Sequence, residues 1–211
     1  GYRYQPQRNV YYYGMSYFIP YQEQSSHLLR DSNANIANYS SFDEKIVSIA
    51  SDILSIRYTS LRNNNISNEK RAENVISASK SKASYSENHM GCGEGRLLKL
   101  VHALETAPNQ SLFVIEEPET ALHQNAQYKL AQYFLDVCNR KKHQIIFTTH
   151  SSEIQRALPP QARKYIQRDE VHTLVMSSPS MAEIENYLSG GKVKKMIIVT
   201  EDQIGQMYIK E

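Results

Sequence analysis

The sequence predicts an α/β fold built on a parallel sheet. Between about residue 95 and residue 200, short apolar runs typical of buried strands alternate with longer segments in which apolar residues recur at helical spacing. Two of the apolar runs end abruptly in polar groups, one in Glu116-Glu117 and the other in Thr149-His150-Ser151. Since the carboxyl ends of parallel strands share one edge of a sheet, where ligands bind, we expect a site at that edge.

Composition limits the classes of protein to consider. The chain has 211 residues, of which 40% are hydrophobic. This hydrophobic fraction is sufficient to form a core and argues against a fully disordered chain. A net charge of +2 neither favours nor excludes a nucleic-acid partner. The two cysteines, Cys92 and Cys138, suggest neither a disulfide framework nor a metal motif, and no apolar run reaches the roughly 18–20 residues that cross a bilayer. We therefore expect a cytoplasmic protein with no membrane partner.

The N-terminal part predicts strands, then a helix, then a polar segment. The tyrosine-rich residues 9–19 predict one or two strands. A helix is expected after Ser41 or Asp43, either of which suits its N-terminal cap. Its apolar stripe comprises Ile46, Ile49, Ile53, Leu54 and Leu61. The polar residues 63–88 predict an exposed helix flanked by loops.

After residue 88 the predicted strands and helices alternate, as a parallel α/β sheet requires. The strands are expected at residues 112–115, 144–148, 171–176 and 195–200. The helices are expected at residues 95–106, 125–139, 151–158 and 181–188. Pro159-Pro160 would end the third helix and Gly190-Gly191 the fourth.

The apolar run at residues 112–115 is followed by three carboxylates within four positions, those of Glu116, Glu117 and Glu119. Carboxylates crowded at the end of a buried strand repel one another, so the arrangement favours a bound cation. An apolar strand ending in two acids is typical of the Walker B motif of nucleotide hydrolases. There the first acid orients Mg²⁺, which prefers oxygen ligands, and the second polarises the attacking water. The alternative is a strand that ends in a solvated acidic turn.

Two further motifs flank this strand. Gly91, Cys92 and Gly93 stand directly before an amphipathic helix, whose free backbone N–H groups and positive end suit phosphate oxygens. The glycines alone would also fit a tight turn. The apolar run at residues 144–148 leads into His150, which suits either a phosphate contact or a structural histidine.

In this order and spacing, the motifs resemble the head of an ATP-binding-cassette (ABC) ATPase over about residues 88–158. MGCGE stands for the signature motif, LFVIEEPE for Walker B, TALH for the D-loop and FTTHS for the histidine switch. Glu-Pro-Glu followed by Leu-His is similar to the OLD (overcoming lysogenization defect) family and its bacterial-defence relatives, rather than to membrane transporters. The resemblance therefore implies a P-loop NTPase fold and a role in anti-phage defence.

The resemblance also implies a role for each matched residue. Glu116 would organise Mg²⁺, Glu117 would be the general base, and His150 would contact the γ-phosphate of ATP. ABC heads sandwich ATP between two copies, so contacts with the nucleotide of the second copy are implied for Gly91, Cys92, Gly93 and Glu94. The dimer interface would be crossed by Thr120, Ala121, Leu122 and His123.

In OLD proteins a Toprim nuclease domain follows the ATPase head. The C-terminal residues 194–211 are similar to the first strand and helix of a Toprim fold, and Glu201 holds the position of its first metal-binding acid. This implies an ATPase domain over residues 1–192 and the start of a Toprim domain over residues 193–211. The resemblance implies DNA as a partner and assembly into a homodimer or a higher oligomer. A second defence protein or RNA is a further implied partner. An ordinary strand and helix capped by Glu201 is the alternative.

The chain departs from the ABC pattern in three respects. No GxxxxGK[ST] motif occurs, and the backbone amides and lysine of that loop normally hold the β- and γ-phosphates. We expect that loop to lie upstream in a longer protein, and the chain alone to bind ATP poorly. Glu116 stands where Asp is usual, which adds one methylene. Gly91 replaces the usual serine, which removes a hydrogen bond to phosphate worth about 1–2 kcal/mol.

Two other functions fit parts of this pattern. An SMC-like or Rad50-like clamp would have the same kind of head and no nuclease of its own. A long heptad-bearing insertion would be expected in such a protein, and residues 63–88 contain none. A scaffold that has lost hydrolysis would explain the missing loop, but the presence of both Glu117 and His150 argues against it.

Overall fold

The computed structural model shows two compact units, residues 1–159 and residues 160–211, and each is described by itself. The residues whose structure is described are 7–14, 35–67, 72–81, 83–168 and 172–188. The strands of the first unit are β1 (Val10–Tyr13), β2 (Asn35–Ser41), β3 (Ser60–Ser67), β4 (Ala72–Lys80), β5 (Ala83–Ser86), β6 (Leu112–Glu116) and β7 (Gln144–Thr148). Its helices are α1 (Glu44–Leu54), α2 (Cys92–Thr106), α3 (Gln124–Lys141) and α4 (Ser152–Ala157).

A parallel sheet of β1, β6 and β7, in that order, positions the predicted site. Alternate residues of β6 face opposite sides, and Phe113 and Ile115 are buried in the core. The strands expected at residues 112–115 and 144–148, and their parallel pairing, are confirmed. Because both strands run the same way, Glu116 pairs with Thr148 and their carboxyl ends lie at one edge.

The helices of the first unit lie close to their predicted positions. Asp43 caps α1 by accepting a hydrogen bond from the backbone N–H of Lys45. Leu61, expected on the stripe of this helix, instead lies on β3. α2 and α3 bury apolar residues against the sheet, namely Leu97, Leu98, Leu100, Val101, Leu104, Leu130, Phe134 and Val137. None of the described helices is both long enough and apolar enough to cross a membrane.

The exposed helix predicted at residues 63–88 is wrong. Strands β2, β3, β4 and β5 form an antiparallel sheet in that order, and most of residues 63–88 belong to it. Asn63, Asn64 and Asn65 pair with residues of β4, and the buried residues of β3 and β4 are Leu61, Ile66, Val75, Ile76 and Ala78. Asparagine is rare in strands, so the local sequence did not indicate this strand pairing, which the buried apolar residues stabilise.

The second unit contains β8 (Lys164–Arg168) and β9 (Thr173–Ser177), which pair antiparallel, and helix α5 (Met181–Leu188). The helix expected at residues 181–188 is confirmed. The strand expected at 171–176 is observed as β9, but its predicted parallel pairing is wrong, because it pairs antiparallel with β8. Strand β8 was not predicted. The strand expected at 195–200, the Gly190-Gly191 helix end and Glu201 lie outside the described residues.

A buried histidine links α2, the loop before β6 and the loop before β7. His143 accepts a hydrogen bond from the backbone N–H of Ser111 at Nδ1 (3.2 Å), and its Nε2 lies 3.1 Å from the carbonyl oxygen of Leu104. This arrangement fits a neutral ring that donates from Nε2. Burial is the main cause that lowers the pKa of His143, and the nearby Lys141 and Arg140 lower it further, against the opposing effects of Leu104 and Glu105.

We expect the protein to lose stability as the pH falls below about 6.5, the ordinary pKa of histidine. The unfolded chain then binds a proton that folded His143 does not, and the slope for one such group is about 1.4 kcal/mol per pH unit. His143→Gln, which keeps a donor and an acceptor, should flatten the fall in urea-unfolding free energy between pH 7.5 and 5.5. His102, whose pKa burial also lowers, would contribute to the slope that remains. An unchanged slope in His143→Gln would contradict this assignment.

Candidate functional site

The first acid of the predicted pair, Glu116, ends strand β6 and contacts the neighbouring strand β1. Its Oε1 accepts a hydrogen bond of 2.7 Å from the hydroxyl of Tyr12. That hydrogen bond is the main cause that raises the pKa of Tyr12. Glu116 is partly exposed, so its carboxylate remains accessible at the edge of the sheet where the predicted metal would bind.

The second acid, Glu117, directs its side chain toward the end of β7. Its backbone adopts a φ of 45°, and its N–H donates to the carbonyl oxygen of Thr148 at 3.2 Å. Its Oε1 lies 3.4 Å from Nε2 of His150, and the side chain of His150 is 85% exposed. The structure therefore brings together the two residues that the sequence assigned to catalysis, on adjacent strand ends and within reach of solvent.

The surroundings of Glu117 raise the pKa of its carboxyl group. Burial is the main cause that raises its pKa, followed by the hydrogen bond and the negative charge of Glu119, while His150 acts in the opposite direction. A carboxylate whose pKa lies nearer neutrality is a stronger base, which suits general-base catalysis.

Glu119, to which the sequence assigned no role, is buried and holds the segment that contains His150. Its Oε1 accepts hydrogen bonds from the hydroxyl of Thr149 (2.6 Å), the backbone N–H of His150 (2.8 Å) and the backbone N–H of Ser151 (3.1 Å). The charge of Glu119 also acts on the buried guanidinium of Arg96 in α2. Glu119 thus connects the turn after β6 to the end of β7.

The start of α2 is built differently at its two glycines. Gly91 is the N-terminal cap, is exposed, and has open space where a Cβ would lie. Gly93 is buried, and a Cβ there would lie 2.1 Å from the backbone oxygen of Ala121. Cys92 lies between them, partly exposed and with a free thiol. Only Gly93 is therefore required by close packing, while Gly91 leaves the helix end open.

Glu94, expected to reach a nucleotide, uses its carboxylate within the chain. Its Oε1 accepts hydrogen bonds from the hydroxyls of Tyr58 (2.7 Å) and Tyr85 (2.5 Å), and lies 3.6 Å from Nζ of Lys80. Burial first, and these contacts second, raise the pKa of both tyrosines. These contacts tie the first turn of α2 to the segment after α1 and to strands β4 and β5.

The predicted D-loop residues form a tight turn between β6 and α3. The hydroxyl and backbone N–H of Thr120 donate to the carbonyl oxygen of Glu117, at 3.0 and 3.2 Å. Ala121 has a φ of 64°, and Leu122 N–H donates to Glu119 at 2.9 Å. His123 is exposed and precedes the first residue of α3. Ala121 and His123 are thus on the surface, where a second copy could contact them.

A magnesium ion carried by a nucleotide fits the donors at this edge. The described residues contain no group of three or more His, Cys, Asp or Glu side chains able to hold a metal by themselves. Mg²⁺ usually keeps several waters and binds through one or two carboxylates together with substrate phosphates. Glu116, at the edge of the sheet and partly exposed, can supply such a carboxylate. The second predicted metal ligand, Glu201, lies outside the described residues.

Comparison with known families identifies the class of protein. The AAA ATPase domain profile matches residues 16–154, which include the three motif segments around Gly91, Glu117 and His150. The chain belongs to this family of ATPase domains. A comparison with curated proteins gave no match.

Several solved structures of SMC proteins are similar to the chain. One comes from work on ATP-driven dimerization and DNA-stimulated activation of SMC ATPases and is 18% identical to this chain. The match covers 72% of this chain and 94% of the SMC structure, with a TM-score of 0.48. The SMC head domain of Pyrococcus yayanosii with a coiled coil and joint is 18% identical over 71% of this chain, with a TM-score of 0.48. The Thermotoga maritima SMC head domain is 16% identical over 64%, with a TM-score of 0.42. The chain spans 29% and 46% of the last two structures.

Proposed function

We propose that the chain is an ATP-hydrolysing head that dimerises around ATP and Mg²⁺. The observation that carries this proposal is the 3.4 Å approach of Glu117 Oε1 to His150 Nε2 at the ends of two adjacent parallel strands. Ligands bind at such an edge of a parallel sheet. Glu117, an acid with a raised pKa, suits the role of a general base there, and His150 suits a contact with phosphate. Membership of the AAA ATPase domain family supports the same function.

Each residue of the site then has a distinct task. Glu116 would help to hold Mg²⁺, which supplies positive charge to the phosphate oxygens when bound. Glu117 would orient the attacking water and accept its proton, a role that a raised pKa suits. His150, whose ring is exposed, would contact the γ-phosphate. The open helix end at Gly91 would face the nucleotide bound by the second copy of the head.

We further propose that the head belongs to an OLD-family ATPase–nuclease acting in anti-phage defence. The Glu-Pro-Glu sequence followed by Leu-His, and Glu201 at the end of an apolar run, support this assignment. ATP binding between two heads would favour one arrangement of the attached nuclease, and hydrolysis would release it. The nucleic-acid substrate would be DNA or RNA, and a second defence protein is a further proposed partner.

The test uses the intact protein, with ATP hydrolysis and nucleic-acid cleavage measured separately. We expect phosphate release that requires Mg²⁺ and stops with EDTA, and a shift from monomer to dimer with ATP in analytical ultracentrifugation. Cleavage of plasmid DNA that Glu201→Ala abolishes, with ATP hydrolysis retained, would support the nuclease assignment. Hydrolysis without any cleavage would instead favour an SMC-like or Rad50-like clamp. Absence of both hydrolysis and ATP-dependent dimerisation would contradict the proposed ATPase.

A further inference from the structure

We infer that Glu119 is a positioning residue of the hydrolysis site, which holds residues 149–151 so that His150 meets Glu117. This inference rests on the proposed function. Glu119 is only 8% exposed, so its carboxylate contacts residues of the site rather than solvent. Its effect on the reaction would therefore pass through residues 149–151, which its carboxylate holds, and through the neighbouring Glu117.

The contacts of Glu119 are concentrated on the segment that carries His150. One carboxylate oxygen, Oε1, accepts from Thr149 Oγ1, His150 N and Ser151 N at 2.6, 2.8 and 3.1 Å. Two of these donors are successive backbone N–H groups, so the carboxylate fixes the direction of the peptide planes and hence of the His150 Cα–Cβ bond. Hydrogen bonds to a charged acceptor are stronger than those between neutral groups, so three on one buried oxygen hold the segment firmly.

The backbone of Glu119 is held within its own turn. The carbonyl oxygen of Glu119 accepts a hydrogen bond from Leu122 N–H at 2.9 Å, which fixes its backbone within the turn. Its charge is partly balanced by the buried guanidinium of Arg96 in α2. Ser151, the third donor, is anchored in turn, since its hydroxyl donates to Gln127 Oε1 at 2.6 Å and accepts from Ile154 N–H at 3.1 Å. The position of His150 therefore depends on the turn after β6, through Glu119, and on α3, through Ser151 and Gln127.

Two substitutions separate positioning from a general contribution to stability. Glu119→Gln keeps an oxygen that can accept from residues 149–151 and removes the charge, whereas Glu119→Ala removes the acceptor. Glu153→Gln is the matched control, because Glu153 lies on α4 and its carboxylate contacts Arg156 rather than residues 149–151. All variants are made in the intact protein.

The first measurement is amide hydrogen exchange without nucleotide. In Glu119→Ala, the His150 and Ser151 amides should exchange about tenfold to a hundredfold faster, while the amides of β6 and of strand β7 keep their protection. Glu119→Gln should restore most of the protection, and Glu153→Gln should leave it unchanged. Unchanged exchange at His150 and Ser151 in Glu119→Ala would overturn the inference. A uniform rise across the whole unit would also overturn it, since Glu119 would then serve folding alone.

The second measurement is steady-state ATP hydrolysis. Because Glu119 acts through His150 and Glu117 and not on bound ATP, Glu119→Ala should lower kcat about tenfold to a hundredfold and leave KM nearly unchanged. Glu119→Gln should recover at least part of the kcat. A rise in KM alone would overturn the positioning role. If the unmodified protein hydrolyses no ATP, the proposed function fails, whereas the exchange experiment still decides whether Glu119 holds His150.

Discussion

Replacing Glu117 with Gln is expected to lower ATP hydrolysis by about 10²–10⁴-fold, the usual contribution of a general base. Glutamine has nearly the same shape and can still lie beside His150, but its amide cannot accept the proton of the attacking water. Glu117 is the acid at this edge whose pKa its surroundings raise, through burial first and the adjacent Glu119 second. The loss should therefore fall on the chemical step and leave nucleotide binding intact.

The experiment compares phosphate release with ATP binding and dimer formation in the same preparation. Glu117→Gln should bind ATP as tightly as the unmodified protein and should accumulate as the ATP-bound dimer in analytical ultracentrifugation, because the dimer is no longer released by hydrolysis. Glu44→Gln is a suitable control, since Glu44 is an exposed acid in the first turn of α1. Undiminished phosphate release by Glu117→Gln would exclude Glu117 as the base.

Replacing Gly93 with Ala should strongly destabilise the protein, whereas the same change at Gly91 should not. The new Cβ at Gly93 would lie 2.1 Å from the backbone oxygen of Ala121, a distance that forces the backbone of the turn or of α2 to move. Overpacking of a well-packed site typically costs about 1–3 kcal/mol, and we expect the upper part of that range because a carbonyl oxygen cannot rotate away. At Gly91 the added methyl group meets nothing within 4 Å.

Helix propensity alone would predict a different result for this pair. Alanine is about 1 kcal/mol more favourable than glycine inside a helix, which would make Gly93→Ala stabilising. At the cap position of Gly91, alanine is expected to change stability by at most about 1 kcal/mol. Urea unfolding of the two variants decides between propensity and contact. Equal unfolding free energies would show that the turn around Ala121 yields, and that Gly93 is not required by packing.

The fold of the parallel sheet could be predicted because its determinants are local. Short apolar runs such as residues 112–115 are typical of strands buried on a core, and the spacing of apolar residues in α2 and α3 indicates their buried faces. The acids after β6 and the histidine after β7 follow those runs directly. Once the strands are parallel, geometry alone brings Glu117 and His150 to the same edge.

The antiparallel sheet could not be predicted in the same way. The asparagines at 63, 64 and 65 have low strand propensity, and their pairing partners in β4 lie about ten residues away along the chain. The buried residues that stabilise this pairing, including Leu61 and Val75, lack a strict alternation. The local pattern of residues 63–88 therefore indicated a polar segment, and the strands are stabilised by burial that appears only in the packed structure.

The sequence by itself determined the parallel strands, the helices that cover them and the acid and imidazole at the strand ends, because side-chain periodicity and strand-end chemistry are local properties. Only the tertiary structure decided that Glu119 holds the segment of His150, that Tyr12 contacts Glu116, and that Gly93 must be glycine while Gly91 need not. Each of these depends on the distance between atoms that are far apart along the chain, and such distances are fixed only when the elements pack.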